Sequence, residues 1–360
     1  FSGIITNMEN MSQPDNKLEF LFKEKEPFLA AAKRMWLSQE VPGVRKFVEA
    51  NYDLKIRKLW VLAWGYNNLI LLAETDRGKI TIRFSQRERT DQDIQFETEV
   101  ALKLHEAGVP VRVPLISVKG EYFYRVSGGY AMQVQNYLEG TSKPEKFLKS
   151  HLASAATLLA AFHSVGRDEK FLYPDRRLDV EELVRESQSR LAGGDSKPPE
   201  VLKKVGWVNF RKSVNKFFTL FPREWPKAAE KSYIGLIHGD FNPGNIIFDH
   251  QKAVGVLDFE RAGWGPQIFD IGFAVAQWSF HNNRWTPRTI LETFIESYPG
   301  ISIGVDGKAV CLMALLAIVE RLAAAVHAYD DYKNKTHWCN EVCYFIGKFE
   351  KFWEEFGKIQ

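Results

Sequence analysis

Cysteine is scarce in this chain: 360 residues contain three, Cys311, Cys339 and Cys343. No two of them have the C-x-x-C spacing of a metal or redox site. An odd number without that spacing argues against a disulfide framework and against a structural zinc site. We therefore expect a reduced, cytoplasmic protein.

The chain also lacks a strong charge of one sign and a long uninterrupted apolar run. The formal net charge is +3, which is too small to predict nucleic acid or an anionic membrane as the main partner. The longest apolar stretch, Ala309–Ala328, is interrupted by Glu320, Arg321 and His327. Because charges are costly in a bilayer, this stretch predicts a buried helix rather than a membrane span.

The N-terminal part has the periodicity of strands. Residues 1–16 begin without Met and are polar, so we expect a disordered tail or an expression remnant there. Helical spacing then covers Lys17–Trp36 and Pro42–Tyr52. Short apolar or alternating runs follow, with one helix after the third run. The predicted strands are Arg57–Ala63, Asn68–Thr75, Lys79–Ser85, Leu115–Val126 with a turn at Lys119–Gly120, and Tyr130–Tyr137, and the predicted helix is Thr90–Ala107.

The C-terminal part is mostly helical by the same criterion. Predicted helices are His151–Val165, Val180–Leu191, Val208–Phe221, Thr289–Ser297, Lys308–Asp331 and Trp338–Phe356, and predicted strands are Tyr233–Ile237, Asn245–Phe248 and Ala253–Leu257. The fold class is therefore α+β with two lobes: an antiparallel five-stranded N-lobe over residues 17–137 and a mostly helical C-lobe over 138–360. We expect a ligand cleft between the lobes.

One segment of the C-lobe carries a recognisable chemistry. His238 and Asp240 precede Asn245, and Asp258 follows thirteen residues after Asn245, beyond a predicted hairpin. A carboxylate near an acceptor hydroxyl, with an amide oxygen and a second carboxylate for Mg²⁺, is what phosphoryl transfer needs. We predict Asp240 as catalytic base, with Asn245 and Asp258 as metal ligands. His238 belongs to the catalytic loop and is expected to brace it; the alternative is that these residues only form turns.

The N-lobe offers candidates for nucleotide contacts. A loop with Gly65 and Asn67 joins the first two predicted strands, where backbone N–H groups can cover phosphates. Arg83 near the end of the third strand can reach phosphates and pair with an acid of the next helix. Glu97 is the predicted partner and Glu99 the reserve. The alternative is a solvated arginine on an edge strand.

Five further residues complete the predicted site. Gln135 and Tyr137 lie in the connection between the lobes, whose backbone can hydrogen-bond an adenine edge. Asp270 lies in an apolar run and is expected to accept hydrogen bonds from the catalytic-loop backbone, a structural role. Glu260 and Arg321 are candidate contacts for the acceptor.

These motifs resemble the aminoglycoside phosphotransferase and choline kinase-like superfamily over residues 55–330. The residues that carry the resemblance are His238–Asn245, Asp258–Glu260, Gly263–Pro266 with Asp270, Phe96–Glu97, Ala107–Val111 and Ala160–His163. Within the superfamily, the N-lobe is most similar to type II homoserine kinases and stress-response kinases.

The resemblance implies a protein-kinase-like fold and ATP and Mg²⁺ as cofactors. It implies Asp240 as base, Asn245 and Asp258 as magnesium ligands, and Glu97 as the acid that positions the phosphate-binding cation. Many relatives have Lys where this chain has Arg83. Because Arg is a planar fork rather than a point charge, its phosphate contacts differ in geometry.

The acceptor is open at this level. We expect a small-molecule hydroxyl, as in homoserine, choline or an aminoglycoside, and a monomer or homodimer. An aminoglycoside needs an acidic pocket, whereas homoserine needs a cation such as Arg321 for its carboxylate. A stress-response Ser/Thr protein kinase is the alternative, disfavoured by the short segment Arg261–Gln267 after Asp258. A nucleotide-binding pseudokinase is disfavoured because Asp240, Asn245 and Asp258 are all present.

Overall fold

The chain forms two compact units in a computed structural model. The model describes residues 30, 33–35, 41, 43–64, 68–165, 176–192, 200–204, 207–281, 284–301, 303–331 and 335–359. Unit 1 comprises Phe1–His105 with Arg112–Leu138, and unit 2 comprises Glu106–Val111 with Glu139–Gln360. The predicted helix Lys17–Trp36 lies almost entirely outside the described residues.

Unit 1 is built on a five-stranded antiparallel sheet, which confirms the predicted fold class. Its strand order is β1-β2-β3-β5-β4, with every neighbouring pair antiparallel. The strands are β1 Ile56–Trp64, β2 Asn68–Thr75, β3 Gly78–Ser85, β4 Tyr124–Arg125 and β5 Ala131–Asn136, and the helices are α1 Val44–Tyr52 and α2 Asp91–Glu106.

The two faces of this sheet differ in chemistry. Alternate residues of β3 and β5 contribute apolar side chains to the hydrophobic core of unit 1, among them Ile82, Phe84 and Val134. The intervening residues are polar and yet buried, namely Thr81, Arg83, Ser85, Gln133 and Gln135. Since side chains alternate across a strand, these residues form one polar face. Buried polar groups need hydrogen-bonding partners, so this face can supply groups that bind a ligand.

The predicted strand Leu115–Val126 is wrong over most of its length. Only Tyr124–Arg125 is a strand. The Ser117 hydroxyl accepts hydrogen bonds from the backbone N–H of Glu121 (3.0 Å) and from the Tyr124 hydroxyl (2.7 Å). Side-chain hydrogen bonds of this kind stabilise a turn in competition with a ladder.

Unit 2 is mostly helical, with two short antiparallel sheets, β6 with β9 and β7 with β8. Its helices are α3 Lys149–Val165, α4 Val180–Ala192, α5 Glu200–Lys204, α6 Trp207–Lys231, α7 Gln267–His281, α8 Pro287–Ser297, α9 Ile303–Asp331 and α10 Lys335–Lys358. Its strands are β6 Ile234–Ile237, β7 Ile246–Asp249, β8 Lys252–Val256 and β9 Gly263–Pro266.

Helix α7 and strand β9 were not predicted. Every residue of α7 from Gln267 to Ser279 is buried, so the helix has no polar face and its sequence lacks the 3.6-residue alternation. Strand β9 contains two glycines in four residues. A Cβ at Gly263 would overlap the carbonyl oxygen of Arg176, so close backbone approach explains glycine there.

Helix α6 continues beyond the predicted end at Phe221. Pro222 and Pro226 lie inside it, although each removes a backbone donor. The apolar face continues across the prolines: Trp225 stacks on Phe221 and is buried. Burial of this aromatic face offsets the cost of the prolines.

Helix α9 contains the long apolar stretch. Residues Asp306–Tyr329 have the length and hydropathy of a membrane span, but 78% of the most apolar window is buried inside the protein. The stretch is thus a core helix of unit 2, as predicted.

Candidate active site

Asp270 anchors the segment that contains Asp240. Its carboxylate accepts the backbone N–H of His238 (2.7 Å) and of Gly239 (2.9 Å). The third contact is with His163 of α3, whose Nε2 lies 3.0 Å from Asp270 Oδ2. His163 Nδ1 lies 2.7 Å from the Tyr298 hydroxyl. A chain of buried polar groups thus runs from Tyr298 to the backbone immediately before Asp240.

His238 is a brace rather than an exposed reactive group. It is fully buried, with its Nε2 2.9 Å from the Leu257 carbonyl oxygen. Its Nδ1 accepts the backbone N–H of Asp240 at 3.2 Å, so Nε2 carries the proton and donates to Leu257. One imidazole therefore ties Asp240 to the residue before Asp258.

Burial determines the ionisation of this anchor. Complete desolvation lowers the pKa of His238 below its ordinary value, against the opposing charges of Asp270 and Asp240. Burial alone would raise the pKa of Asp270, but the hydrogen bond and electrostatic influence of His163, together with the hydrogen bond from the His238 backbone, outweigh it and lower that pKa. At neutral pH the anchor is a carboxylate beside a neutral His238.

Asp240 lies at the start of a tightly hydrogen-bonded loop. The side-chain amide of Asn245 donates to the Asp240 carbonyl (3.0 Å) and to its Oδ2 (3.3 Å). Arg321 Nη2 donates to Oδ1 at 2.8 Å. The Asp240 side chain remains 24% exposed, so a ligand can still reach its carboxylate. A carboxylate oxygen can accept two hydrogen bonds, so the Asp240 carboxylate retains capacity to accept one from a hydroxyl.

Asn245 and Asp258 lie at the open end of the β7–β8 hairpin. Ile246 pairs with Val256, and the Asn245 carbonyl accepts the N–H of Leu257 at 2.9 Å. Asp258 has φ 67°, a left-handed conformation that is uncommon outside glycine and is often found at functional sites. The hairpin thereby brings the two predicted metal ligands, separated in sequence, to one end.

The oxygen atoms of Asn245 and Asp258 are suited to a hard cation whose other ligands are water and phosphate oxygens. Both side-chain hydrogen bonds of Asn245 use its nitrogen, so its amide oxygen faces elsewhere as an acceptor. Among the described residues, no group of three or more His, Cys, Asp or Glu forms a closed metal site. Mg²⁺ typically binds one or two carboxylates together with water and phosphate oxygens, so one carboxylate and one amide oxygen fit it.

In unit 1, the structure brings Arg83 and Glu97 together. Arg83 Nη1 donates to Glu97 Oε2 at 2.8 Å, with side-chain exposures of 9% and 3%. Arg83 Nε also donates to Asn68 Oδ1 at 2.9 Å. Arg89 forms a second ion pair with the other oxygen of Glu97. Glu97 is therefore shared by two arginines, and the interpretation of Arg83 as a solvated edge residue is wrong.

The remaining predicted nucleotide residues have simpler surroundings. Gly65 and Asn67 lie outside the described residues. Gln135 is buried on the polar face of the sheet, opposite Thr81 of β3. Tyr137 follows β5, and Lys79 lies over its ring at 5.2 Å.

The two predicted acceptor contacts occupy different positions in unit 2. Arg321 contacts Asp240 directly. Glu260 is buried and lines a cavity of about 240 Å³ together with Arg176, Arg177 and Arg261. Glu320, the neighbour of Arg321 on α9, is paired with Arg261 at 3.4 Å.

Sequence reasoning missed several partners of the site. His163 and Tyr298 lie more than 100 and 130 residues from their contacts along the chain, a separation at which periodicity carries no signal. Arg89 precedes α2 among other charged residues and looks like a solvated loop cation. The sequence feature that could have identified Arg89 as a partner is its short separation from Glu97, which follows eight residues later.

Comparison with known proteins identifies the family to which this chain belongs. Residues 59–301, more than half of the chain, match the phosphotransferase enzyme family, and the chain belongs to that family. The predicted resemblance is thus confirmed at the family level. The protein is a phosphotransferase with a kinase-like α+β fold, in a family whose relatives act on small molecules.

Three proteins similar to this chain are a curated relative and two solved structures. The homoserine kinase of Bradyrhizobium sp. (strain BTAi1) is 24% identical over 239 residues, covering 66% of this chain and 68% of that protein. An amicoumacin kinase solved with AMP-PNP and Ca²⁺ superimposes with TM-score 0.66 at 14% identity, covering 91% of this chain and 99% of that one. A microcompartment-associated aminopropanol kinase gives TM-score 0.65 at 14% identity, covering 87% and 97%. At such identities the solved structures show a shared fold.

Proposed function

We propose that this protein is an ATP- and Mg²⁺-dependent kinase that transfers the γ-phosphate to a hydroxyl of a small molecule. The observation that carries the proposal is the loop in which Asp240, Asn245 and Asp258 are tied together by His238 and by the β7–β8 hairpin. Homoserine kinase relatives and a nucleotide-bound neighbour support it.

Asp240 has the role of orienting the acceptor hydroxyl. The hydroxyl donates to the Asp240 carboxylate while its oxygen attacks the γ-phosphorus. The bond between that phosphorus and the oxygen bridging to the β-phosphate breaks, ADP leaves, and the hydroxyl proton passes through Asp240 to solvent. Positioning accounts for most of the catalysis in this reaction class, which is why the loop is rigidly anchored.

Asn245 and Asp258 are the residues proposed to hold Mg²⁺. When bound, the cation neutralises charge on the phosphate oxygens. In unit 1, we propose that Arg83 contacts nucleotide phosphates, held in place by Glu97. Arg89 pairs with the other oxygen of Glu97, so the two arginines do not compete for the same carboxylate oxygen.

The proposal is tested by an ATP-consumption screen with purified protein. The acceptors are homoserine, choline, ethanolamine, an aminoglycoside and a generic protein substrate, each with and without Mg²⁺. We expect Mg²⁺-dependent turnover with at least one small molecule and none with the protein substrate. Binding of MgATP without transfer to any acceptor would contradict the proposal.

A further inference from the structure

Arg321 is a charged residue in the middle of a core helix, directly beside Asp240. It lies on α9, whose neighbouring residues Ile318, Val319 and Leu322 are fully buried. Its own side chain is 32% exposed. Because a charge in such surroundings is costly unless it is paired, its partners indicate its purpose.

Its partners hold the guanidinium in one orientation. The group lies over the Phe273 ring at 5.3 Å. With its amide oxygen turned toward Arg321, Gln277 accepts from Nε and Nη2 at 3.2 Å each. Nη2 also donates to Asp240, and Glu320 lies 3.8 Å from Nε. These contacts use Nε and Nη2, whereas Nη1 makes no hydrogen bond to any residue that the structure describes.

The unused donors beside Asp240 fit an anionic ligand. Asp240 and Glu320 face Arg321 and Arg261, so two carboxylates are matched by two guanidinium groups. An anionic acceptor meets the oriented guanidinium through the two N–H groups of Nη1 that these contacts leave unused.

We infer that the acceptor is a small hydroxy acid or hydroxy amino acid whose carboxylate is bound by Arg321, an inference that rests on the proposed kinase function. Asp240 receives the hydroxyl and Arg321, in contact with it, receives the carboxylate. The two groups of the acceptor are then only a few bonds apart. Phe273 and Gln277 preorganise the guanidinium, which reduces the entropy lost on binding.

The test compares acceptors that differ only in the carboxylate. The pairs are L-homoserine with 3-aminopropan-1-ol, L-serine with ethanolamine, and 4-hydroxybutanoate with propan-1-ol. Wild type is expected to prefer one carboxylated member by about 10- to 100-fold in kcat/KM, the range of a charge-assisted hydrogen bond. In Arg321→Gln this ratio is expected to fall to within about threefold of unity. Arg288→Gln, the same change at an exposed arginine of α8, is the control and should keep the ratio.

The ratio of kcat/KM between the two members of a pair distinguishes recognition of the carboxylate from an effect of Arg321 on Asp240. If Arg321 only supports Asp240 or the fold, Arg321→Gln lowers both members of a pair equally and the inference is wrong. If wild type turns over the amino alcohols or choline better than any hydroxy acid, the inference is also wrong while the kinase function stands.

Calorimetry with MgADP provides a readout that needs no turnover. We expect the preferred hydroxy acid to bind wild type and Arg288→Gln but at least about tenfold more weakly to Arg321→Gln. Such binding without phosphate transfer to any acceptor supports the Arg321 site and contradicts the proposed kinase function. Equal binding to wild type and Arg321→Gln overturns the inference.

Discussion

Replacing Asp270 with Asn should disconnect the catalytic loop from the core of unit 2. The carboxylate accepts three buried hydrogen bonds, from His238 N, Gly239 N and His163 Nε2. Asn keeps one acceptor oxygen and turns an NH₂ group toward a donor, so at least one bond is lost and one buried donor is left unsatisfied. Hydrogen bonds to charged groups contribute about 1.5–3 kcal/mol each. We therefore expect a loss of about 3–5 kcal/mol in unfolding free energy.

The assay is thermal unfolding together with steady-state kinetics on the preferred acceptor. The Tm should fall by about 10 °C, since 1 kcal/mol corresponds to about 2–4 °C in a domain of this size. The kcat should fall by about 100-fold, because a loop displaced by about 1 Å loses productive geometry. Asp249→Asn, at an exposed aspartate on the adjacent hairpin, is the matched control and should change neither quantity. A Tm within about 2 °C of wild type for Asp270→Asn, with kcat unaltered, would refute the anchor.

Three further predictions test other parts of the structure. Glu97→Gln leaves Arg83 and Arg89 without their shared carboxylate, so we expect the unfolding free energy to fall by about 3 kcal/mol and the KM for ATP to rise. Glu88→Gln, at an exposed glutamate, is the control and should change neither quantity. Gly239→Ala places a Cβ against the backbone of Arg261 at φ 72° and should lower the unfolding free energy by more than about 2 kcal/mol. Gly347→Ala, where a Cβ meets open space, should leave the unfolding free energy unchanged or raise it slightly. Equal changes in the two variants would contradict this prediction. His238 is neutral when folded and takes a proton below about pH 6.5 when unfolded, so stability should fall as pH drops from 7.5 to 5.5. The decrease in Tm between pH 7.5 and 5.5 should be smaller in His238→Gln than in wild type. An identical decrease in both would show that His238 is not a buried neutral imidazole.

The sequence predicted most of unit 1 because its strands alternate clearly. Strand β2 has the predicted bounds, Asn68–Thr75, and a short turn joins it to β3. The third predicted strand also contained Arg83, which the structure places on the buried polar face of the sheet. The strand predicted over Leu115–Val126 was wrong because a serine hydroxyl competes with the ladder there.

Residue order predicted the proposed catalytic loop, whereas the residues that surround this loop in the fold could not be predicted. Helix α7 has apolar residues on every side, so no period revealed it. The contacts of Asp240 with Arg321 and of Asp270 with His163 join segments 81 and 107 residues apart. Such pairs follow from helix packing in unit 2, which local spacing does not encode.

The most direct test of the central claim is phosphate transfer by Asp240→Asn, compared with wild type and Asp249→Asn at saturating MgATP. The change is nearly isosteric and removes the carboxylate that we propose receives the hydroxyl. We predict a kcat loss of at least about 1000-fold, equivalent to about 4 kcal/mol in the barrier, with MgADP affinity and Tm close to wild type. Transfer by Asp240→Asn at the wild-type rate would contradict the account.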